Sequence, residues 1–521
     1  MYISLIPQHY RKKMKKTDIE TLSANIAQQI PRSKYRAANI IILLAFLLSS
    51  CHHPAGGDFS NIQQEANIYP PYQETVIPYN IAPLNFMIRE EGVRFVVRFA
   101  VAGKDSFDIS CKGKVSIPLR KWKKLLDEHR GSQMELSIFA RQTTGWTRYR
   151  PLRFTIAAEP VDPYLAYRLI EPGYEGWGKM GIYQRCVENF DETPVMLNSL
   201  TDGNCMNCHS FCRGNPQTML FHMRQQNAGT LFVKDGAVRK INTKAPEMIS
   251  AGVYPRWHPE GRYVAFSANT TRQEFHTAHA NKVEVYDMAS DLVVFDTETN
   301  TIFTDSLICS GSFFETFPEW SPDGKYLYFC SAPARPMPGE YDSLRYDLLR
   351  IAFDVSTGRF GNRADTLVSS IRTKKSAALP RVSPDGKYVV FCMSNFGTFP
   401  IWHRENDLYL MNLETAEITN LTAINSNQSD SYHSWSANGR WMVFGSRRMD
   451  GTFTRPYICY FDTEGHAHTP FLLPQKNPEH YDFLTKSYNI PEFITGKVSV
   501  SPYEFTKAAK GKTVEVIFNA D

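Results

Sequence analysis

The chain has 521 residues, 42% hydrophobic, 13% aromatic and 21% charged, a globular composition with room for more than one domain. Its 58 Lys and Arg against 53 Asp and Glu give a formal net charge of +5, but the first 50 residues alone carry eight of the basic and two of the acidic groups. The remaining 50 basic and 51 acidic residues balance, which excludes a global electrostatic case for nucleic-acid binding. The 33 Phe and 26 Tyr, with frequent Pro and Gly, favour an all-β chain with many turns.

At the amino end, Arg32, Lys34 and Arg36 precede the apolar run Ile41–Leu48, too short to cross a bilayer as a mature helix. A basic segment, an apolar core and small residues before a cut make a secretory leader. The ending Leu48-Ser49-Ser50-Cys51 resembles the lipobox of bacterial lipoproteins. That resemblance implies cleavage before Cys51 and lipidation of its thiol. Residues 1–50 are therefore expected to be a signal peptide, and the mature protein a lipoprotein of the bacterial cell envelope, periplasmic or at the cell surface. The polar stretch 51–74, with Gly and Pro, is expected to be a flexible tether.

From residue 75 to 158 the pattern turns to strands rich in Val, Phe and Ile: Val93–Val101, Met134–Gln142 and Leu152–Ala158. One helical patch interrupts them, with Leu119, Trp122, Leu125 and Leu126 at helical spacing and Gly131 as a stop. A small, Ig-like β-sandwich is the simplest expectation here, and it carries no recognisable catalytic set.

An internal repeat then decides the architecture of 159–475. Four segments align: YPRWHPEGRYVAFSA (Tyr254–Ala268), FPEWSPDGKYLYFCS (Phe317–Ser331), LPRVSPDGKYVVFCM (Leu379–Met393) and YHSWSANGRWMVFGS (Tyr432–Ser446). Each reads as strand, tight turn and strand, with Gly at the strained turn position. A second strand pair follows each one. Four strands per unit describe propeller blades. The WSPDGKYLYF pattern resembles the repeat of TolB-type β-propellers. Degenerate blades at Tyr164–Leu197 and around Thr218–Thr243 would bring the total to about six, as the resemblance implies. Asp323 and Asp385 of the repeat are expected to be turn formers, and Cys330 and Cys392, at one repeat position, small buried thiols. Propellers also cap hydrolases, but no Gly-x-Ser-x-Gly elbow occurs, and 476–521, expected as a C-terminal extension, is too short for a hydrolase domain.

The most chemically specific stretch is Thr201–Gly214, with Cys205-Met206-Asn207-Cys208-His209 at its centre. This is the spacing of c-type haem attachment: two thiols add across the haem vinyl groups, and the next residue offers an imidazole to the iron. Export places the motif in the compartment where such attachment occurs. Zinc is an alternative, with Cys205, Cys208 and Cys212 joined by His209 or His222, and a disulfide among the thiols is another. Aligning Arg213–His222 with His258–Ser267 puts His209 level with Tyr254, Phe317, Leu379 and Tyr432, at the mouth of the channel, and makes 201–223 a haem-binding insertion within a blade. The same alignment nominates His433, His276 and His222 as distal ligands. His279, Met219 and Met223 rank below them. For each histidine the plain alternative is a polar residue at the mouth.

These expectations describe an envelope-anchored c-type haem protein that transfers electrons or senses through the haem, with an unidentified redox or envelope protein partner and no nucleic acid. A haem oxidoreductase with a five-coordinate iron is a variant of it. The rival is a haem-free scaffold that binds protein or glycan partners, its Cys cluster holding structural zinc or a disulfide.

Overall fold

The computed structural model describes residues 59–171 and 178–519. The expected leader, Cys51 and the first part of the tether lie outside the described residues. Among those described, no helix is long and apolar enough to cross a membrane.

The amino-terminal part is built on a seven-stranded sheet whose centre is Gln133–Gln142, paired with Arg94–Val101 over eight residues. A three-stranded sheet of Ile68–Tyr69, Phe86–Ile88 and Lys114–Val115 shares its core. The sheets begin earlier than expected: Phe59–Glu65 pairs at the edge, and Ala66, Ile68 and Tyr72 are buried, so much of the expected tether is folded. The helix Leu119–Glu128 starts after Pro118 and turns Trp122, Leu125 and Leu126 inward, leaving Leu119 exposed.

Six four-stranded antiparallel blades follow, and their innermost strands form a closed ring. Those inner strands are Met206–Cys212 (blade 2), Gly252–Trp257 (blade 3), Phe313–Trp320 (blade 4), Ser376–Val382 (blade 5) and Asp430–Trp435 (blade 6). Blade 1 takes its inner strand from the far end of the chain. Ser487–Ile494 pairs antiparallel with Tyr164–Ile170, closing the ring between blades 6 and 2. The segment expected as an extension is therefore structural. The helix Pro502–Ala509 then packs on the outer strands of blades 1 and 2, and Thr513–Glu515 and Ile517–Asn519 add parallel fifth strands to blades 2 and 3.

Two local devices recur, each in three of the four repeats. In blade 4, Ser321 Oγ bonds to Asp323 and accepts the Tyr326 N–H at 3.0 Å, with Gly324 in the left-handed region at φ 73°. Ser383 with Asp385 and Ser436 with Asn438 repeat this bonding, so these side chains build turns. The second device is the Trp that precedes the turn. The indole Nε1–H of Trp257, Trp320 and Trp435 donates to the carbonyl of Ser210, Arg256 and Arg381, each in the preceding blade. Bulk and one hydrogen bond together clamp neighbouring blades. Cys330 and Cys392 are fully buried between blades, and burial pushes both thiols well up.

The amino-terminal sheets sit directly on the propeller. Asn85 Nδ2 donates to the carbonyls of Gln475 and Lys476, Lys114 Nζ to Asn477, and Ala82 N–H to Val187 O, and one continuous apolar core joins the two parts.

Candidate functional site on the propeller axis

Each inner strand carries a β-bulge where one residue takes a positive φ: Cys208, Tyr254, Phe317, Leu379, Tyr432 and Ile490, at 49–54°. None is glycine, so the ring of bulges holds backbone strain in every blade. Six tetrapeptides thereby align: Cys208-His209-Ser210-Phe211, Tyr254-Pro255-Arg256-Trp257, Phe317-Pro318-Glu319-Trp320, Leu379-Pro380-Arg381-Val382, Tyr432-His433-Ser434-Trp435 and Ile490-Pro491-Glu492-Phe493. This corrects the alignment made from sequence by one residue. Cys208, not His209, is level with Tyr254, and His209 takes the place that is Pro in four blades and His433 in blade 6. The offset arose because blade 2 carries seven residues between the paired Phe211 and Met219, one more than blade 3 carries between Trp257 and Val264. Residues 201–223 are not an insertion; from Met206 they are the first two strands of blade 2.

Around the axis, the first ring closes the channel. Tyr254, Phe317, Leu379, Tyr432 and Ile490, with His209, line a cavity of only about 20 Å³. His209 is buried, and neither ring nitrogen has a hydrogen-bond partner of normal geometry. Burial, with the nearby Arg168 charge, lowers its pKa to about 3, so the imidazole is neutral. Cys208 is buried, its thiol pushed up by desolvation, while Cys205 is half-buried. The loop before them is tied down: Arg224 N–H donates to Cys205 O at 2.9 Å, Cys205 N–H to Gln225 Oε1 at 3.3 Å, and Arg168 Nη1 to Met206 O at 3.0 Å.

The donor set of a c-type haem is thus present, but its seat is not. A cavity of about 20 Å³ admits a single water-sized group, far below the roughly 300–1,000 Å³ of cofactor-sized sites. Tyr254, Phe317 and Tyr432 share the lining of this small cavity with His209. In this fold the residues do not fit a haem.

The nominated partners are dispersed. His433 Nε2 lies 2.8 Å from Val390 O, so it is turned between blades 5 and 6. His222 Nδ1 lies 3.1 Å from Thr230 Oγ1 within blade 2. His276 and His279 sit beyond the end of the longest hairpin, Tyr263–Phe275 with Val283–Asp296; the stretch from Ser267 to Phe275 reaches about 26 Å at the usual rise per residue. Met219 and Met223 are fully buried between blades. Cys212 Sγ faces His258 O on the blade 3 side, whereas Cys205 packs on the blade 1 side, so the zinc set is not gathered. Among the described residues, the His, Cys, Asp and Glu side chains close enough to share an ion are Asp462, Glu464 and His466, an exposed cluster on a blade 6 turn.

Just past the constriction, on the side of the hairpin turns, the channel widens into a vestibule of about 410 Å³. The third residue of each tetrapeptide lines it, in the order Glu492, Ser210, Arg256, Glu319, Arg381 and Ser434 around the axis. Arg256 Nε lies 3.1 Å and Arg381 Nη1 3.5 Å from Glu319 Oε2, and Arg256 Nη1 is 4.0 Å from Glu492 Oε1, which accepts the Phe211 N–H at 3.3 Å. Burial pushes Glu319 up to about 8 and Glu492 up to about 7, with Arg256 pulling both down. Ser210 Oγ, Arg381 Nε and Glu492 Oε2 are buried without a partner. None of these six residues stands out in the sequence as a site residue. The ring's signal was available as the charged third position after the apolar-Pro pair, but it becomes a site only once the blades face each other.

No family model matches the chain, and no curated protein matches it. Solved structures similar to it include an oligogalacturonate lyase in complex with manganese (10% identity, 57% of this chain and 91% of that one, TM-score 0.32). Also similar are a puromycin-hydrolysing peptidase of Mycobacterium tuberculosis (12%, 66% and 52%, 0.33) and prolyl oligopeptidase B of Galerina marginata (11%, 77% and 53%, 0.33). The chain spans about half the length of the two peptidases.

Proposed function

We propose that this chain is an exported binding protein, a TolB-like propeller anchored at the cell envelope, that holds a small polar ligand in the vestibule on its axis. One observation carries this reading: Ser210, Arg381 and Glu492, from three blades, line a cavity of about 410 Å³, and each carries a buried polar atom without a hydrogen-bond partner. Convergent polar groups with displaced pKa values in a cavity of that size are the usual marks of a ligand site. The envelope location rests on the leader and lipobox. His209 finds its place within the repeat, since blade 6 has His433-Ser434-Trp435 where blade 2 has His209-Ser210-Phe211, and blade 6 has no cysteine pair beside it.

The test is a small-molecule screen by thermal shift on the intact protein, beside a Ser434→Trp variant. Ser434 lines the vestibule outside the charged network, and an indole there intrudes into it. Ligands that stabilise the parent and not the variant support the reading; ligands that stabilise both equally overturn it.

The covalent haem stands as the second reading, favoured by the donor set Cys205, Cys208 and His209. It requires the segment before Ser210 to leave the ring. Expression with haem-attachment machinery decides it: a Soret band that survives denaturation supports haem, and its absence removes it.

A further inference from the structure

Arg256 and Arg381 keep their charge at any ordinary pH, because a guanidinium does not deprotonate in proteins. The facing carboxylates do not keep theirs as firmly. Burial raises Glu319 and Glu492 against the pull of Arg256, so their hold on the guanidinium groups loosens as pH falls. The groups around them are few. Arg213, at the rim, donates to Pro322 O at 2.8 Å, and Asp162, itself raised by burial, accepts the Ala437 N–H at 2.7 Å. His258 lies behind the ring with Nε2 against Gly324 O.

The unpartnered atoms point the same way. Arg381 Nε is a donor only, and the Ser210 hydroxyl can donate. Glu492 Oε2, once protonated, donates as well. Arg381 spends Nη1 on its own Pro380 O at 2.5 Å and on Glu319, which leaves Nε without a partner on a residue that lines the cavity. A pocket with Arg256, Arg381 and Ser210 on its lining, walled by Phe211, Trp257 and Trp320, suits a flat anion carried on a compact body.

We infer that the vestibule recognises a small carboxylate, its anionic end held by Arg381 and Ser210 beside Arg256. This rests on the ligand-binding reading above and specifies its chemistry. An incoming carboxylate competes with Glu319 for the guanidinium groups and disfavours the charge on Glu492. Binding therefore takes up a proton, and by linkage affinity rises as pH falls.

The experiment is isothermal titration calorimetry on the intact protein with acetate, succinate and glucuronate. Acetamide and glucose serve as uncharged probes, and inorganic phosphate and sulfate as non-planar anions. A carboxylate is expected to bind, with its affinity falling towards tenfold per pH unit between pH 7 and 9, the limit for uptake of one proton. Arg381→Gln should weaken it at least tenfold and Ser210→Ala severalfold, with unchanged far-ultraviolet circular dichroism. The serine variant keeps the test valid if the arginine variant misfolds. Binding of uncharged probes in preference to carboxylates, tighter binding of phosphate or sulfate, or affinity that is flat or rises with pH would overturn the carboxylate assignment, while Ser434→Trp sensitivity would still uphold a ligand site. Absence of binding by every probe overturns this inference, and the screen described above then decides the broader reading.

Discussion

Cys208 and Tyr254 occupy the same place in adjoining blades, with φ of 54° and 49° at the same bulge of the inner strand. Their equivalence turns His209 into the counterpart of Pro255, Pro318, Pro380 and Pro491. A proline at 209 should therefore suit the backbone, since four blades place Pro at this position. His209→Pro is expected to change stability by no more than about 1 kcal/mol, measured by chemical denaturation. A loss several times larger would show that the imidazole itself, or something bound to it, supports the ring.

The pH dependence of stability follows from the buried histidines. His209 and His222 are lowered to about 3 and His433 to about 4, in each case chiefly by desolvation. A group whose folded pKa lies below its unfolded value near 6.5 is more protonated in the unfolded chain. Stability is then complete above about pH 6.5 and falls as pH drops towards 3. The His209→Pro variant should lose about 2 kcal/mol less than the parent between pH 6.5 and 5, because one such group is gone. Denaturant midpoints at the two pH values measure it.

His403 works in the opposite sense. It is buried, with Nε2 3.0 Å from the buried Glu284 and Nδ1 3.4 Å from Glu405, and these partners raise it to about 9 against desolvation. This pair fixes the long hairpin of blade 3 to the blade 5 loop, beside the Tyr346–Asp287 hydrogen bond of 3.1 Å. Its contribution is complete below about pH 6.5 and lost as pH rises through 9. His403→Gln should cost about 3 kcal/mol at pH 7 by stranding Glu284. Faster hydrogen exchange should appear along Val283–Asp296, with vestibule ligand binding unchanged.

The inter-blade Trp clamp gives a fourth test. Trp320→Phe keeps most of the bulk and removes the donor to Arg256 O, and is expected to cost about 1–2 kcal/mol in denaturant unfolding. Trp320→Ala adds a cavity and should cost about 3–5 kcal/mol.

Ring closure predicts how truncation behaves. Ending the chain at Lys512 removes the two outer fifth strands and leaves every inner strand, so cooperative unfolding should persist. Ending it at Lys486 removes the inner strand of blade 1 and exposes Tyr164–Ile170 as an open edge. That variant should lose its sharp thermal transition and be cut rapidly by protease.

The blades were legible one by one, because strand, turn and strand are local. WSPDGKYLYF states its own alternation and its own turn, and the Ser321–Asp323–Tyr326 hydrogen bonds stay within six residues. The strand Ser487–Ile494 escaped recognition, although Ile490-Pro491-Glu492-Phe493 repeats Phe317-Pro318-Glu319-Trp320, because it lacks the hairpin that marks the other blades. Cys205, Cys208 and His209 are legible as a motif, read as haem attachment from their spacing, the leader and the repeat alignment. Spacing fixes which chemistries the donors permit, but not the room around them. That room is set by Tyr254, Phe317 and Tyr432, which lie in three other blades.

By itself, then, the sequence determined the repeat, the all-β class and the turn chemistry, which depend on neighbours along the chain. Only the tertiary structure decided that the ring closes through residues near 490, that His209 stands at a proline position in a channel too narrow for a macrocycle, and that Ser210, Arg256, Glu319, Arg381 and Glu492 face one another. These are contacts between residues up to 282 positions apart, brought together only when the blades close around a common axis and force their third inner-strand positions to share one small, poorly solvated space.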